Sequence, residues 1–146
     1  ELGIPKKNIT ASDINLEALK EAKKLNIKTI ESNLFEAFKR KVRKGKHWCP
    51  LQFDLIIFNP PYLPEDKYDS EIDTTGGKKG DEIIIRFIKN LKNHLNEKGQ
   101  CLLLTSSLTP NKEWRNIAKL KKLKVKKIAS KKLFFEELYV FKVTLQ

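Results

Sequence analysis

Apolar positions along the chain alternate between strand-like runs and helix-like spacings. Ile9–Asp13 reads as a short strand, and Asn15 offers an N-cap to a helix from Leu16 to about Leu25. Leu16, Leu19, Ala22 and Leu25 would lie along one side of that helix. Lys28–Ser32 reads as a strand, and Phe35–Lys44 as a basic helix running into a loop at Gly45. Phe53–Phe58 is a mostly apolar run bounded by Asn-Pro-Pro, which predicts a strand buried on both faces of a parallel sheet. Asp81 is expected to cap a helix through about Leu95, with Ile84, Ile88, Leu91 and Leu95 at helical spacing. Gly99 would stop it ahead of a buried strand, Cys101–Thr105. A helix over Lys112–Leu120 and strands near Val125–Ala129 and over Leu138–Val143 complete the pattern.

Strands alternating with helices predict an α/β fold with right-handed crossovers and a mostly parallel sheet, Leu138–Val143 being its antiparallel edge strand. With 146 residues, no internal repeat and no low-complexity linker, residues 1–146 read as a single domain.

Composition narrows the class. Hydrophobic residues at 40% and charged residues at 33% describe a globular chain rather than a disordered one. No apolar run approaches the roughly 18 residues of a membrane-spanning helix, so no membrane role is expected. Two cysteines, Cys49 and Cys101, exclude a disulfide scaffold and suit free thiols in a reducing cytoplasm. The chain contains no Met, which points to a missing translational start.

The net charge of +12 is local. Lys39, Arg40, Lys41, Arg43, Lys44 and Lys46 form one cluster; Lys119, Lys121, Lys122, Lys124, Lys126, Lys127, Lys131 and Lys132 form another. Those 14 residues leave 16 of the 30 bases to face all 18 acids on the rest of the chain. The patches fit either a polyanion such as RNA or solvated lysine on exposed faces.

The chemistry centres on Asn59-Pro60-Pro61-Tyr62, which leaves the carboxyl end of the Phe53–Phe58 strand. Open α/β sheets bind ligands at that edge. A stiff Pro-Pro turn alone would explain the two prolines. The whole tetrapeptide does more. Asn59 supplies an amide oxygen, Pro60 a carbonyl without an N–H, Pro61 rigidity and Tyr62 an aromatic face. Two rigid acceptors can take both hydrogens of a planar amino group and help draw the nitrogen lone pair towards an electrophile.

On these residues the chain is recognisable. Phe-Asp-Leu-Ile-Ile-Phe-Asn-Pro-Pro-Tyr (53–62) resembles the signature of S-adenosyl-L-methionine-dependent methyltransferases that modify planar amino groups, and within them the HemK-like release-factor glutamine methyltransferases. Thr75-Gly76-Gly77-Lys78-Lys79-Gly80 and the following Asp81–Phe87 are similar to the archaeal and eukaryotic branch. The likeness runs from Ala11 to Val143 and implies a Rossmann-like class I fold. It implies methyl transfer to a glutamine side-chain amide, with Asn59, Pro60 and Tyr62 catalytic and Asn59, Pro60, Pro61 and Tyr62 holding the substrate. Asp13, in Ala11-Ser12-Asp13-Ile14-Asn15, matches the acid that takes the ribose hydroxyls of the cofactor; helix capping is its alternative role. Asn33 and Leu34 match the segment beside the adenine, Asn33 standing where the family usually has Asp. Asn59 is assigned to the cofactor side as well.

The resemblance also marks an absence. The family's first strand and Gly-rich turn precede the position of Asp13, yet Gly3 is the only glycine there. An N-terminally truncated chain, or one half of a split enzyme, is the expectation. A translation release factor is the implied substrate, and a small zinc-binding activator protein at the edge strand Lys28–Ser32 the implied partner. The alternatives are an adenine or guanine amino-group methyltransferase acting on RNA or DNA, and a non-catalytic remnant of the fold. The acidic run Glu65, Asp66, Asp69, Glu71 and Asp73 after the motif argues against a nucleic-acid substrate. His47-Trp48-Cys49 is a poor metal site, Cys101 reads as core filler, and His94 as an exposed residue near a helix end.

Overall fold

The computed structural model describes residues 3–41, 48–63 and 76–146. The predicted loop at Gly45, His47 and the acidic run 65–73 lie outside them. Contacts group the chain into two units, Glu1–Leu51 and Gln52–Gln146.

In the first unit, β1 (Thr10–Asp13) pairs in parallel with β2 (Lys28–Glu31), Asp13 opposite Glu31. The intervening helix α1 spans Leu16–Lys24, and the Asn15 side chain caps it by accepting the Glu17 N–H at 2.9 Å. Leu19 is its buried residue, while Leu16 and Leu25 are exposed rather than part of an apolar face.

Of the helix expected over Phe35–Lys44, the described residues 35–41 form none. A turn follows Asn33, then β3 (Lys39–Lys41) pairs antiparallel with β4 (Trp48–Pro50). Two local causes are visible. The Ser32 hydroxyl accepts the Ala37 N–H at 3.1 Å and donates to the Leu34 carbonyl at 2.9 Å, and Leu34 sits at φ +54°, outside the helical region. The Lys/Arg run would also stack like charges at helical spacing.

The second unit is a four-stranded mixed sheet in the order β5–β6–β8–β7. β5 (Phe53–Phe58) runs parallel to β6 (Leu95–Ser106), and β8 (Glu137–Leu145) is antiparallel to both β6 and β7 (Leu123–Lys132). The reversed strand is therefore inserted between two others, and β7, not β8, forms the edge. A short β7–β8 connection brings the chain straight back along β7, while β6 offers the apolar face against which Phe141 and Val143 are buried. β5 is only half-buried, with Asp54 and Ile57 exposed.

Helix α2 covers Glu82–Leu91 and buries Ile84, Ile88 and Leu91 as the spacing predicts. It stops earlier than expected, at a 3₁₀ turn over Lys92–His94, so Leu95 already belongs to β6 and His94 is buried rather than exposed. Gly99 lies within the strand. A Cβ there would come within 2.6 Å of the Phe53 carbonyl, at the register shift between Phe53 and Leu55. Helix α3 spans Lys112–Leu120 and buries Trp114, whose ring meets Phe141 edge-on at 5.3 Å. Phe58 stacks on Phe87 at 4.2 Å and ties β5 to α2.

Candidate active site

Asn59-Pro60-Pro61-Tyr62 leaves β5 at its carboxyl end, beside the parallel β6. Asn59 is exposed, Pro60 buried, Pro61 and Tyr62 partly buried. The tetrapeptide thus has an anchored middle and an open amide at its start. Its exit is fixed from two distant parts of the chain. The Thr109 hydroxyl, in the loop between β6 and α3, donates to the Tyr62 carbonyl at 2.9 Å. The Gly76 N–H donates to the Leu63 carbonyl at 2.8 Å, and the Gly76 carbonyl accepts from Glu82 N–H at 3.1 Å at the start of α2. A Cβ on Gly76 would fall 2.7 Å from the Pro61 carbonyl and 2.3 Å from that of Gly80. No side chain fits there.

Burial, reinforced by the Glu136 carboxylate, raises the Tyr62 hydroxyl above its ordinary range, so it stays a neutral phenol near pH 7. Asp81 occupies the N-cap position of α2 without capping it through its side chain. Instead the Glu82 carboxylate accepts the Lys79 N–H at 3.1 Å. Asp81 is buried, and one of its oxygens has no partner among the described residues. Desolvation first, then Glu82 and Glu113, raise its carboxyl above the usual carboxylate range.

In the first unit, Asp13 and the Asn33–Leu34 turn share the carboxyl ends of neighbouring parallel strands. Asp13 is exposed and accepts the Asn15 N–H on Oδ1 at 2.9 Å; α1 is capped by Asn15, so the capping alternative for Asp13 does not hold. A carboxylate has several acceptor positions, and this exposed one suits a vicinal diol. Asn33 is exposed and Leu34 half-buried on a turn fastened by Ser32. The donor set therefore fits the ribose and adenine side of S-adenosyl-L-methionine. Ahead of Asp13 the single glycine is Gly3, at φ +65°.

Thr109 and Glu136 escaped the sequence reading. A Ser/Thr-rich stretch after a buried strand (Thr105-Ser106-Ser107-Leu108-Thr109) was the available signal for Thr109; nothing local pointed to Glu136.

A family model described as Eco57I restriction-modification methylase matches residues 4–141. A Methanocaldococcus jannaschii protein assigned by name to the protein N5-glutamine methyltransferases is 43% identical over 145 residues, covering 92% of this chain and 68% of that protein. A release factor glutamine methyltransferase of Rhodopirellula baltica is 33% identical over 125 residues, covering 72% of this chain and 38% of that protein. Among solved structures, a chain of the E. cuniculi Mtq2–Trm112 complex, responsible for methylation of the translation termination factor eRF1, aligns with a TM-score of 0.71. Its identity is 20%, over 95% of this chain and 73% of that one. A ribosomal protein L11 methylase of Lactobacillus delbrueckii aligns at 0.60 with 18% identity, over 94% of this chain and 59% of that one. The fold is thus Rossmann-like, and the chain, a methyltransferase, belongs to the family of the protein glutamine methyltransferases.

Proposed function

We propose that the protein transfers a methyl group from S-adenosyl-L-methionine to the side-chain amide nitrogen of a glutamine in a translation release factor, in the cytoplasm. The observation that supports this most is the tetrapeptide Asn59–Tyr62 at the carboxyl end of β5, pinned by Thr109. Bound S-adenosyl-L-methionine supplies an electrophilic methyl group. Asp13 would hold its ribose, with Asn33 and Leu34 beside its adenine, and residues 1–146 would serve as one methyltransferase domain. The Asn59 amide oxygen and the Pro60 carbonyl accept the two hydrogens of the substrate –NH2. That fixes the nitrogen and turns its lone pair out of conjugation. Pro61 keeps the acceptors rigid and the Tyr62 ring packs on the amide plane. The neutral phenol of Tyr62 adds no charge to the pocket. No general base is needed first, because the proton leaves after the new bond forms.

The test is methyl incorporation into a Gly-Gly-Gln peptide and into intact release factor by the full-length protein. Asn59→Ala should lower kcat about a hundredfold or more, since it removes positioning of the reacting nitrogen. Activity retained within a factor of a few would sink the mechanism. Methyl incorporation into RNA or DNA in place of release factor would favour the base-modifying alternative.

A partner reading follows from β2, which pairs with β1 alone among the described residues. A small zinc-binding activator adding to that edge would raise the melting temperature of the protein at saturation. An unchanged melting temperature would dispose of it.

A further inference from the structure

The turn joining β7 to β8 carries the most exposed apolar side chains of the described residues. Phe134 is 92% exposed and Phe135 86%, with Leu133 at 43%. The two rings meet edge to face at 4.7 Å, so the pair forms one block rather than two independent side chains. Neither ring contributes to the core. Exposed aromatic clusters of this kind mark interaction surfaces.

Hydrogen bonds tie this tip to the candidate active site. The Leu133 N–H donates to the Glu136 carbonyl at 2.8 Å and closes the turn. The Ser106 hydroxyl donates to the Glu136 carboxylate and accepts the N–H of Leu108, itself 50% exposed, at 3.1 Å. The Ser107 N–H donates to the Glu137 carbonyl at 2.8 Å. Three residues beyond Ser106, Thr109 holds the Tyr62 carbonyl, and the Glu136 charge reaches the Tyr62 phenol. Leu108 and the tip at residues 133–135 therefore lie at the same end of the sheet as the tetrapeptide, where β5 and β6 have their carboxyl ends.

We infer that Leu133, Phe134 and Phe135, with Leu108, form the docking surface for the folded protein that presents the target amide, receiving an apolar patch bordered by acidic side chains. The inference rests on the proposed protein-glutamine substrate and names what recognises it beyond the glutamine itself. Charge supports the acidic border: Lys131 and Lys132 precede the tip, and Lys124, Lys126 and Lys127 stand further along the same edge strand. Two acidic residues beside the rings weigh against a nucleic acid at the tip itself. Glu136 and Glu137 directly follow the rings in the chain, so a phosphate backbone laid on the tip would meet two acidic residues, the Glu136 carboxylate being held by the Ser106 hydroxyl.

The experiment compares the full-length protein with a Phe134→Ser/Phe135→Ser variant on two substrates, intact release factor and a short Gly-Gly-Gln peptide. Both rings are exposed, so an unchanged melting temperature serves as the folding control. For the intact factor, KM should rise at least tenfold with kcat within about twofold; for the peptide, both constants should be unchanged. Phe134→Leu/Phe135→Leu should recover most of the loss. An unchanged KM for the intact factor overturns the inference, as does an equal loss on factor and peptide. Loss of RNA binding in the double variant with unchanged kinetics on the factor would assign the tip to nucleic acid instead. If the unmutated protein methylates neither factor nor peptide, the substrate reading itself fails, a result separate from any effect of the variants.

Discussion

The hydroxyl of Thr109 donates to the carbonyl of Tyr62 at 2.9 Å, joining residues 47 positions apart. Thr109 is buried, and its Oγ1 also lies 3.4 Å from the Ser106 N–H, so one hydroxyl ties the tetrapeptide to the end of β6. Thr109→Val keeps the shape and removes the donor, leaving the Tyr62 carbonyl without it. Stability should fall by about 1–3 kcal/mol in a denaturant titration. The turnover number should fall roughly tenfold through misplaced acceptors, with affinity for S-adenosyl-L-methionine unchanged. Thr109→Ser, which retains the hydroxyl, should restore most of both.

Gly76 fastens the same exit one residue further on, at the Leu63 carbonyl. Its missing Cβ is what allows the Pro61 and Gly80 carbonyls to approach, at 2.7 and 2.3 Å from where that atom would lie. Both obstacles are backbone and cannot rotate aside. Gly76→Ala should therefore cost about 1–3 kcal/mol, read as a lower denaturation midpoint, and reduce methyl transfer with it.

Burial of Asp81 gives stability a pH dependence whose sign follows from its raised carboxyl. The native protein holds this proton to higher pH than the unfolded chain does. Stability from this group is full below the ordinary carboxylate range and is lost as pH rises through the native value. Asp81→Asn removes that dependence. Thermal melts should show the variant above the unmutated protein at pH 8 and close to it at pH 3. A variant that melts lower at pH 8 would show the charge to be compensated.

The two cysteines should be told apart by a thiol reagent. Cys101 is fully buried in β6, and burial pushes its thiol up to about 12. Cys49 is partly exposed in β4. At pH 8 one thiol should react in the native protein, and the second only on addition of denaturant. A Cys49→Ala variant should show no native-state reaction.

Local interactions were legible in the sequence. Asn15 caps α1 because an amide oxygen two positions ahead of an N–H needs no other part of the chain. Lys112–Leu120 forms its helix, and Ile84, Ile88 and Leu91 bury one face of α2, because helical periodicity is a property of residues three and four apart. The tetrapeptide after an apolar strand marked the candidate site for the same reason. Its four residue types and the strand before it are contiguous.

Other features were decided by tertiary structure. Residues 34–37 are as compatible with a helix as with the turn they make; Ser32 and the pairing of β3 with β4 chose the turn. The spacing of Leu91 and Leu95 continues a helix, yet pairing with Phe53 of β5 recruits Leu95 into a strand, and His94 just before it is buried. The insertion of β8 between β6 and β7, and the junction of Glu136, Ser106, Thr109 and Tyr62, depend on register between strands far apart in the chain. Side-chain period and capping act over a few residues. Strand order is set by which apolar faces bury one another, so it exists only once the whole sheet has formed.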